Sequence, residues 1–406
     1  MQSSHKITNI FYYISVGLLF FRAPEIYGLK IADIFLILTL LIFAITHKSK
    51  IVSDKGGLSF FLLFILVVFT SSSISNISSI SESVLTIGRL FLGFGLTIAT
   101  FNIITSTQDL NRLINTIFTS SIISTTIGIG AVALWLVGIR DHILVNLSLY
   151  GQGQLARAMP FFYDPNHYAS VLTISFVFAI LCFAEASRWK RRISLLFLIF
   201  LFATGMISTG SRTAMAIVIL CTVLSFLFYF VFKISKKLRL VGNILIFFFG
   251  IIIIAATNGD ILDLFNLEFL GRRSGAASGL SNRFDLLIST LKTWIKNPIF
   301  GGGPGVFITE GVNAGASSHN SYAGVLSQFG IFGFISIISL FILVFKQIMR
   351  RLFIERSWIV FSCLMLFISF LAWGLFLNVF VSRRFWFVIG LVLTVAHRNL
   401  DVKKIK

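Results

Sequence analysis

Long apolar runs recur along the whole chain, and they constrain its fold more than any other feature. Runs of about 15 to 25 residues approach the roughly 20 residues that a helix needs to cross a hydrocarbon core. About twelve of them are found, at 7–21, 31–46, 58–70, 84–101, 113–137, 167–185, 193–208, 213–232, 240–256, 321–345, 357–377 and 385–397. The runs are continuously apolar, whereas the strands of a membrane barrel alternate apolar and polar residues. The sequence therefore predicts an all-α integral membrane protein with about 12 transmembrane helices.

Basic residues are distributed unevenly between the loops that join these runs. Clusters recur in alternate loops and hold most of the 34 lysines and arginines, at 47–55, 188–192, 233–239, 346–356 and 398–406. Cytoplasmic loops of membrane proteins are enriched in these residues, so this side and both termini are predicted to be cytoplasmic. The net charge of +19 then reflects membrane topology, and no nucleic acid partner is expected. No cleavable signal peptide is predicted before the first run.

The longest polar interval, 257–320, is predicted to be an outer loop between spans 9 and 10 of a single polytopic domain that covers 1–406. Apolar residues at helical spacing within 284–295 predict an amphipathic helix, which Pro298 would end. Such a helix suits the headgroup plane of a membrane, and an ordinary helix packed on top of the bundle is an equal alternative. The glycines at 301–305 favour a turn back to the bundle over a backbone nest that binds an anion.

Three outward-facing residues share a placement close to a predicted helix start. They are Arg212, Arg283 and His319, and each follows a serine or an asparagine. A cation in the first turn opposes the helix dipole, which typically costs about 0.3–1 kcal/mol of stability, so an anion is expected to offset this cost. Helix N-termini bind phosphate, and arginine adds a bidentate donor, so the two arginines are predicted to clamp a diphosphate. The alternative is that they reach lipid phosphates or pair with nearby carboxylates.

His319 is suited to base chemistry. A helix N-terminus disfavours the imidazolium form, which leaves a neutral ring that can accept a proton. A hydrogen-bonded structural histidine is the alternative. Arg157 is a further outward arginine of interest, whereas Asp164 and Pro165 predict only the cap and first turn of the next helix.

Metal and ion-transport chemistry receive no support from the sequence. It contains neither Asp-x-Asp nor a His, Cys and carboxylate group at metal-ligand spacing, so metal-independent chemistry without a cofactor is expected. Acidic residues do not occur in the middle of the spans, which argues against an ion-coupled transporter. Cys182, Cys221 and Cys363 lie in apolar spans and are predicted to be small buried side chains.

Four segments together resemble the bacterial O-antigen polymerase and O-antigen ligase superfamily. They are RAMPFFYDPNHYA at 157–169, TGSRTA at 209–214, NRFDLLISTLKTWIKNPIFGGGPGVF at 282–307 and SSHNSYAGVLSQFGIFGF at 317–334. Members are polytopic glycosyltransferases that move a glycan from an undecaprenyl-diphosphate carrier onto an acceptor hydroxyl at the outer leaflet of the inner membrane. The resemblance implies that Arg212 and Arg283 hold the diphosphate and that His319 orients or deprotonates the acceptor. The residues expected to bind substrate are Arg157, Asn166, Asn320 and Tyr322.

The resemblance leaves the acceptor open. A polymerase would extend another carrier-linked repeat unit, and a ligase would transfer the glycan to the lipid A core. RAPEIYGLKIADIFLIL at 22–38 and DPNHYA at 164–169 favour a polymerase. The expected partners are the undecaprenyl-diphosphate-linked donor, either acceptor, membrane lipids and a chain-length regulator, at a site that faces the periplasm. A flippase or exporter of lipid-linked sugars is the alternative from another functional class.

Overall fold

The computed structural model describes residues 2–21, 25–26, 29–46, 68, 70–71, 80–139, 145–150, 153–160, 162, 164–232, 277–304, 319–398 and 400. Most of them are helical. The helices are α1 (Gln2–Leu18), α2 (Ile31–Thr46), α3 (Ile80–Ile103), α4 (Thr107–Leu136), α5 (Pro165–Glu185), α6 (Trp189–Ser208), α7 (Arg212–Phe232), α8 (Ala277–Lys296), α9 (Ser321–Glu355), α10 (Trp358–Gly374) and α11 (Arg383–His397). Each predicted apolar run within these residues forms a helix. The predicted spans at 240–256 and, except for residues 68 and 70, at 58–70 lie outside them, so the count of twelve stays a prediction.

Six of the described helices are long and apolar enough to cross a membrane. They cover Ser83–Ile103, Thr107–Leu136, Pro165–Glu185, Trp189–Ser208, Arg212–Phe230 and Ser321–Glu355. Shorter apolar helices cover Ile7–Leu18, Ile31–Ile42 and Trp358–Gly374. The prediction of a multi-pass helical membrane protein is confirmed at this level. The predicted cysteine positions are also confirmed, because all three thiols are buried.

In the described part of the chain, two short β-hairpins accompany the helices. The first pairs β1 (Glu25–Ile26) with β2 (Leu29–Lys30), and the second pairs β3 (Val145–Tyr150) with β4 (Gly153–Ala158). Both hairpins lie in connections between helices, so they leave the predicted all-α class unchanged. A polar loop between spans can satisfy its backbone groups by local strand pairing, and an apolar repeat does not reveal such pairing.

Helices α3 and α11 approach each other closely because glycines lie between them. A Cβ atom on Gly93 would collide with the indole of Trp386, and one on Gly390 would lie 2.9 Å from the Cα of Thr97. The hydroxyl of Thr97 donates to the Trp386 carbonyl at 2.7 Å. Close packing at small residues is a main source of helix association in lipid. It fixes α11, and with it the arginines of its first turn, against the bundle.

Helix α9 is interrupted at Gly330, whose φ of 63° and ψ of −165° lie outside the helical region. The first part begins at Ser321 and is about 13 Å long at 1.5 Å per residue. An interruption leaves carbonyls before it and amides after it without their partners one turn away. In a membrane-spanning helix no water replaces those partners, so another part of the protein must supply them.

The turn that follows α8 supplies these partners. Its glycine amides donate to the carbonyls before the break, and its carbonyls accept from the amides after the break. These hydrogen bonds run from a backbone amide to a backbone carbonyl, from Gly302 to Ser327 (2.8 Å), from Gly303 to Gln328 (3.0 Å), from Ile331 to Pro298 (2.9 Å) and from Phe332 to Ile299 (3.4 Å). The predicted turn is therefore confirmed. An anion nest at Gly302 and Gly303 is excluded because these amides are already bonded to α9.

Gly301 and Gly330 face each other in this contact, and neither position accommodates a side chain. Their φ angles of 75° and 63° cost an L-residue about 1–2 kcal/mol. A Cβ atom on Gly330 would also lie 2.6 Å from the amide nitrogen of Gly301 and collide with the carbonyl of Ile299. We call the contact between residues 297–303 and 327–332 the glycine lock. It holds the end of α8 against the break in α9.

Helix α8 packs on α9 and extends beyond the predicted 284–295 segment. Thr290 and Thr293 are buried, and their hydroxyls donate to carbonyls of their own helix. Ile288 and Ile295 are 37% and 68% exposed. Exposed isoleucines suit contact with lipid, and the position of α8 at the membrane surface stays a prediction.

Replacing Gly330 or Gly301 with alanine is expected to destabilise the protein by about 2 kcal/mol or more, because each change adds a positive-φ penalty and a backbone clash. Thermal unfolding of the detergent-purified variants measures this. Gly130→Ala on α4 is the matched control, since no atom lies within 4 Å of its added Cβ. Alanine there is expected to be neutral or to stabilise by about 0.5–1 kcal/mol. Equal melting temperatures for all variants would contradict the glycine lock.

Candidate active site

The turn between α6 and α7 places Arg212 at the start of α7. Gly210 has a φ of 60°, which allows the chain to reverse after α6. The hydroxyl of Ser211 accepts from the amide of Ala214 at 3.2 Å, so the predicted cap is confirmed. Arg212 is exposed. As a cation in the first turn, it opposes the helix dipole and favours an anion nearby.

Arg157 on β4 joins this turn to the start of α5. Its Nε donates to the carbonyl of Thr209 at 2.6 Å, and its Nη2 donates to Oδ1 of Asn166 at 3.3 Å. The carboxylate of Asp164 accepts from the amide of Asn166 at 2.6 Å and caps α5, with Pro165 in the first turn, as predicted. A planar guanidinium suits this double contact because its donors point in fixed directions.

Arg384 at the start of α11 makes a second connection to α5, and the sequence analysis did not single it out. Its Nη1 donates to the carbonyl of His167 and, at 3.1 Å, to the hydroxyl of Ser170. Its Nη2 lies 3.1 Å from Nδ1 of His167. The guanidinium also lies over the ring of Phe162, 5.7 Å from the centroid. Arg384 therefore ties the first turn of α11 to the first turn of α5.

Arg383, the preceding residue, forms an ion pair with Asp33 of α2. The Asp33 side chain is fully buried, and that of Arg383 is 12% exposed. The sequence contained a signal for both arginines of α11. They follow Ser382, as Arg212 follows Ser211, and the same rule of a cation at a helix start would have identified them.

His319 lies directly before α9 and has a left-handed backbone with a φ of 48°. This conformation costs a non-glycine residue about 1–3 kcal/mol, and such strain clusters at functional sites. The N-cap of α9 is Asn320, whose Oδ1 accepts from the amides of Tyr322 and Ala323 at 3.0 Å. His319 thus directly precedes the N-cap, close to a helix start as predicted, and α9 begins at the residue where the predicted span 321–345 begins. Asparagine is a favoured N-cap residue.

The turn after α10 holds the start of α9 in place. Three hydrogen bonds join them: Asn320 Nδ2 to the Leu375 carbonyl (3.2 Å), Ser321 Oγ to the Leu377 carbonyl (2.6 Å) and the Val379 amide to Ser321 Oγ (2.8 Å). The hydroxyl of Tyr322 donates to the carbonyl of Leu371 at 3.0 Å. Asn320 and Tyr322 therefore have structural contacts, and their role in substrate binding stays a prediction.

Arg283 does not lie in the first turn of its helix, because α8 begins at Ala277. The dipole argument therefore does not apply to it, which corrects the prediction. Its side chain is outside the described part of the structure. The glycine lock nevertheless fixes the end of α8 against α9, the helix that His319 precedes, so both residues belong to elements in direct contact.

These hydrogen bonds, and the short segments that they join, lie at one end of the bundle, and we call them the polar belt. Its members are the turn 209–212, Arg157, residues 166–167, the segment 375–384 and residues 319–322. The belt contains six predicted site residues, namely Arg157, Asn166, Arg212, His319, Asn320 and Tyr322, of which Arg212 and His319 belong to it through their neighbours in the chain. It adds His167 and Arg384. Cationic and imidazole side chains from separate helices are thus gathered at one end, an arrangement suited to an anionic ligand and proton transfer.

Part of the chain matches a known protein family. Residues 195–338 match the family model described as O-antigen ligase. The matched segment contains Arg212, Arg283 and His319, whereas Arg157, His167 and Arg384 lie outside it. The predicted resemblance is confirmed by this match. No curated protein matches the chain.

Replacing Asp33 with alanine is expected to destabilise the protein by about 3–5 kcal/mol, because it leaves the guanidinium of Arg383 buried without its carboxylate. Thermal unfolding in detergent measures the loss. The double variant Asp33→Leu/Arg383→Met is expected to be more stable than Asp33→Ala, since no unpaired charge remains. Arg112→Ala is the control, because Arg112 is 53% exposed in its pair with Asp109 and such pairs contribute about 0–1 kcal/mol. A double variant less stable than Asp33→Ala would contradict the ion pair.

Proposed function

We propose, from the match of residues 195–338 to the O-antigen ligase family model, that this chain is a membrane glycosyltransferase that polymerises undecaprenyl-diphosphate-linked repeat units. The reaction takes place at the outer leaflet of the inner membrane, with both termini in the cytoplasm. The polar belt is the observation that supports this proposal. It gathers arginines and His319 at one end of a helical bundle, where a lipid-linked anion can enter from the side.

The arginines act on the donor. A lipid diphosphate is a good leaving group that needs its developing charge stabilised, and guanidinium groups provide this stabilisation. Arg212 is exposed at the start of α7, and Arg283 is carried on α8. Arg157 holds the turn before Arg212 through the Thr209 carbonyl and so positions the diphosphate site.

His319 acts on the acceptor. Its imidazole takes the proton of the acceptor hydroxyl as the oxygen attacks the anomeric carbon of the donor sugar. The bond from that carbon to the diphosphate oxygen breaks, and the diphosphate leaves with its negative charge next to the arginines. The activated donor supplies the energy, so the step requires neither a nucleotide nor a metal.

Transfer to the lipid A core is the second candidate, and the description of the matched family as O-antigen ligase favours it. The two candidates share the donor, the leaving group and the base. They differ only in the acceptor, which is a carrier-linked glycan for the polymerase and a lipid A core sugar for the ligase. Membrane lipids contact α8 in either case, and a chain-length regulator is a further partner of the polymerase.

Purified protein in liposomes distinguishes these reactions. Given an undecaprenyl-diphosphate repeat unit alone, it is expected to lengthen the glycan, as seen on a gel or by mass spectrometry. Glycan transfer only when a lipid A core acceptor is added would identify a ligase. Movement of the lipid-linked unit across the bilayer without bond formation would identify a flippase and overturn the transferase proposal.

Residue changes test the assigned roles in the same liposomes. His319→Ala is expected to lower kcat by about 100-fold or more, since a general base contributes about 10²–10⁴-fold. Arg212→Lys and Arg283→Lys are expected to lower activity because lysine keeps the charge but loses the bidentate geometry. His397→Gln and Arg112→Lys are controls at the other end of the bundle, beside Phe101 and Asp109. Wild-type product length in the three site variants, at equal membrane abundance, would show that the roles are misassigned.

A further inference from the structure

We propose that His167 binds the donor substrate by donating a hydrogen bond from Nε2 to an anionic oxygen of the lipid diphosphate, and that Arg384 is its positioning residue. The proposal rests on the proposed function for the identity of the ligand. Both residues lie outside the matched segment 195–338.

The contact between the two side chains determines where the proton of the His167 ring lies. A guanidinium has only hydrogen-bond donors, so Nδ1 of His167 must be the acceptor in its 3.1 Å contact with Nη2 of Arg384. While this bond stands, Nδ1 cannot carry a proton. The ring proton is therefore on Nε2, and His167 presents a donor. This role is the opposite of the one proposed for His319, which must accept a proton.

Further contacts fix the orientation of the ring. The same guanidinium binds the backbone carbonyl of His167 and the hydroxyl of Ser170, so it is held against α5 independently of the imidazole. The ring of Phe162 lies on one face of the guanidinium. A donor whose direction is already fixed binds its ligand at a lower entropic cost than a mobile one. Arg384 thus positions His167 without touching the substrate.

The surroundings of His167 favour an anion. Asn166, the preceding residue, is bonded to the guanidinium of Arg157, and Arg384 binds His167 itself. The carboxylate of Asp164 accepts from the amide of Asn166 and also interacts electrostatically with Arg384, so two guanidinium groups face one carboxylate beside His167. His167 is partly exposed, whereas Tyr168 after it is fully buried, so the imidazole lies at the surface of the bundle. In the proposed reaction the anion at this surface is the diphosphate of the donor.

Two substitutions of His167 test the roles of its two ring nitrogens separately. In His167→Asn the amide reaches only the position of Nδ1 and can still accept from Arg384, whereas in His167→Gln the amide reaches the position of Nε2 and can still donate. We expect His167→Asn to raise the KM for the lipid-diphosphate donor by about 10- to 100-fold, the usual loss for a hydrogen bond to a charged group. His167→Gln is expected to retain most of the affinity. His397→Gln is the control for changing a histidine.

Arg384→Lys tests the positioning role. It is expected to raise KM in the wild-type background, because lysine does not make the same set of contacts and the ring is released. In the His167→Gln background it is expected to add little, since no ring tautomer remains to be fixed. Additive effects of the two changes would overturn the positioning role.

Measuring the affinity of the purified protein for undecaprenyl diphosphate tests this inference independently of glycan transfer. Weaker binding by His167→Asn than by His167→Gln supports the inference. If the wild-type protein binds the ligand in this way but transfers no glycan, only the proposed function fails. Wild-type affinity in His167→Asn would overturn the inference. Equal losses in both variants, with lowered melting temperatures, would also overturn it by showing that His167 acts only in packing.

Discussion

The interruption of α9 is the constraint on which the rest of the structure depends. A membrane-spanning helix that breaks after its first turns must bond its freed carbonyls and amides to protein, because lipid offers no partners. The turn after α8 meets this need, and it can approach closely enough only because Gly301 and Gly330 lack side chains. The short first part of α9 then becomes a separate element. Its N-terminus, with His319 before it, can be held by the turn after α10 independently of the long second part.

The polar belt shows how arginines organise the end of this bundle. Arg157 and Arg384 donate to carbonyl oxygens, an amide and an imidazole, which are neutral acceptors. Arg383 differs, because its partner is the buried carboxylate of Asp33. One pair of adjacent residues at the start of α11 thus serves two purposes. Arg383 stabilises the bundle, and Arg384 fixes a histidine.

Local sequence rules predicted local structure well. The caps Ser211 and Asp164 and the end of α8 before Pro298 all follow from backbone hydrogen bonding within a few residues, and they are present in the structure. The rules failed where a distant partner or a competing local choice decided the outcome. Arg384 and His167 are 217 residues apart, so no spacing pattern connects them. Arg283 was predicted to lie in the first turn of its helix, whereas α8 already begins at Ala277.

The sequence by itself determined that this chain is a helical membrane protein, that Arg212 and His319 stand near helix starts, and which superfamily it resembles. These properties follow from hydrophobic length, from capping chemistry and from short ordered motifs, all of which act within one segment. Only the tertiary structure decided which arginine meets which acceptor, that the glycines after α8 repair a broken helix, and that His167 is held in one tautomer. Such contacts join segments far apart in the chain, and their geometry is set by how the helices pack in three dimensions.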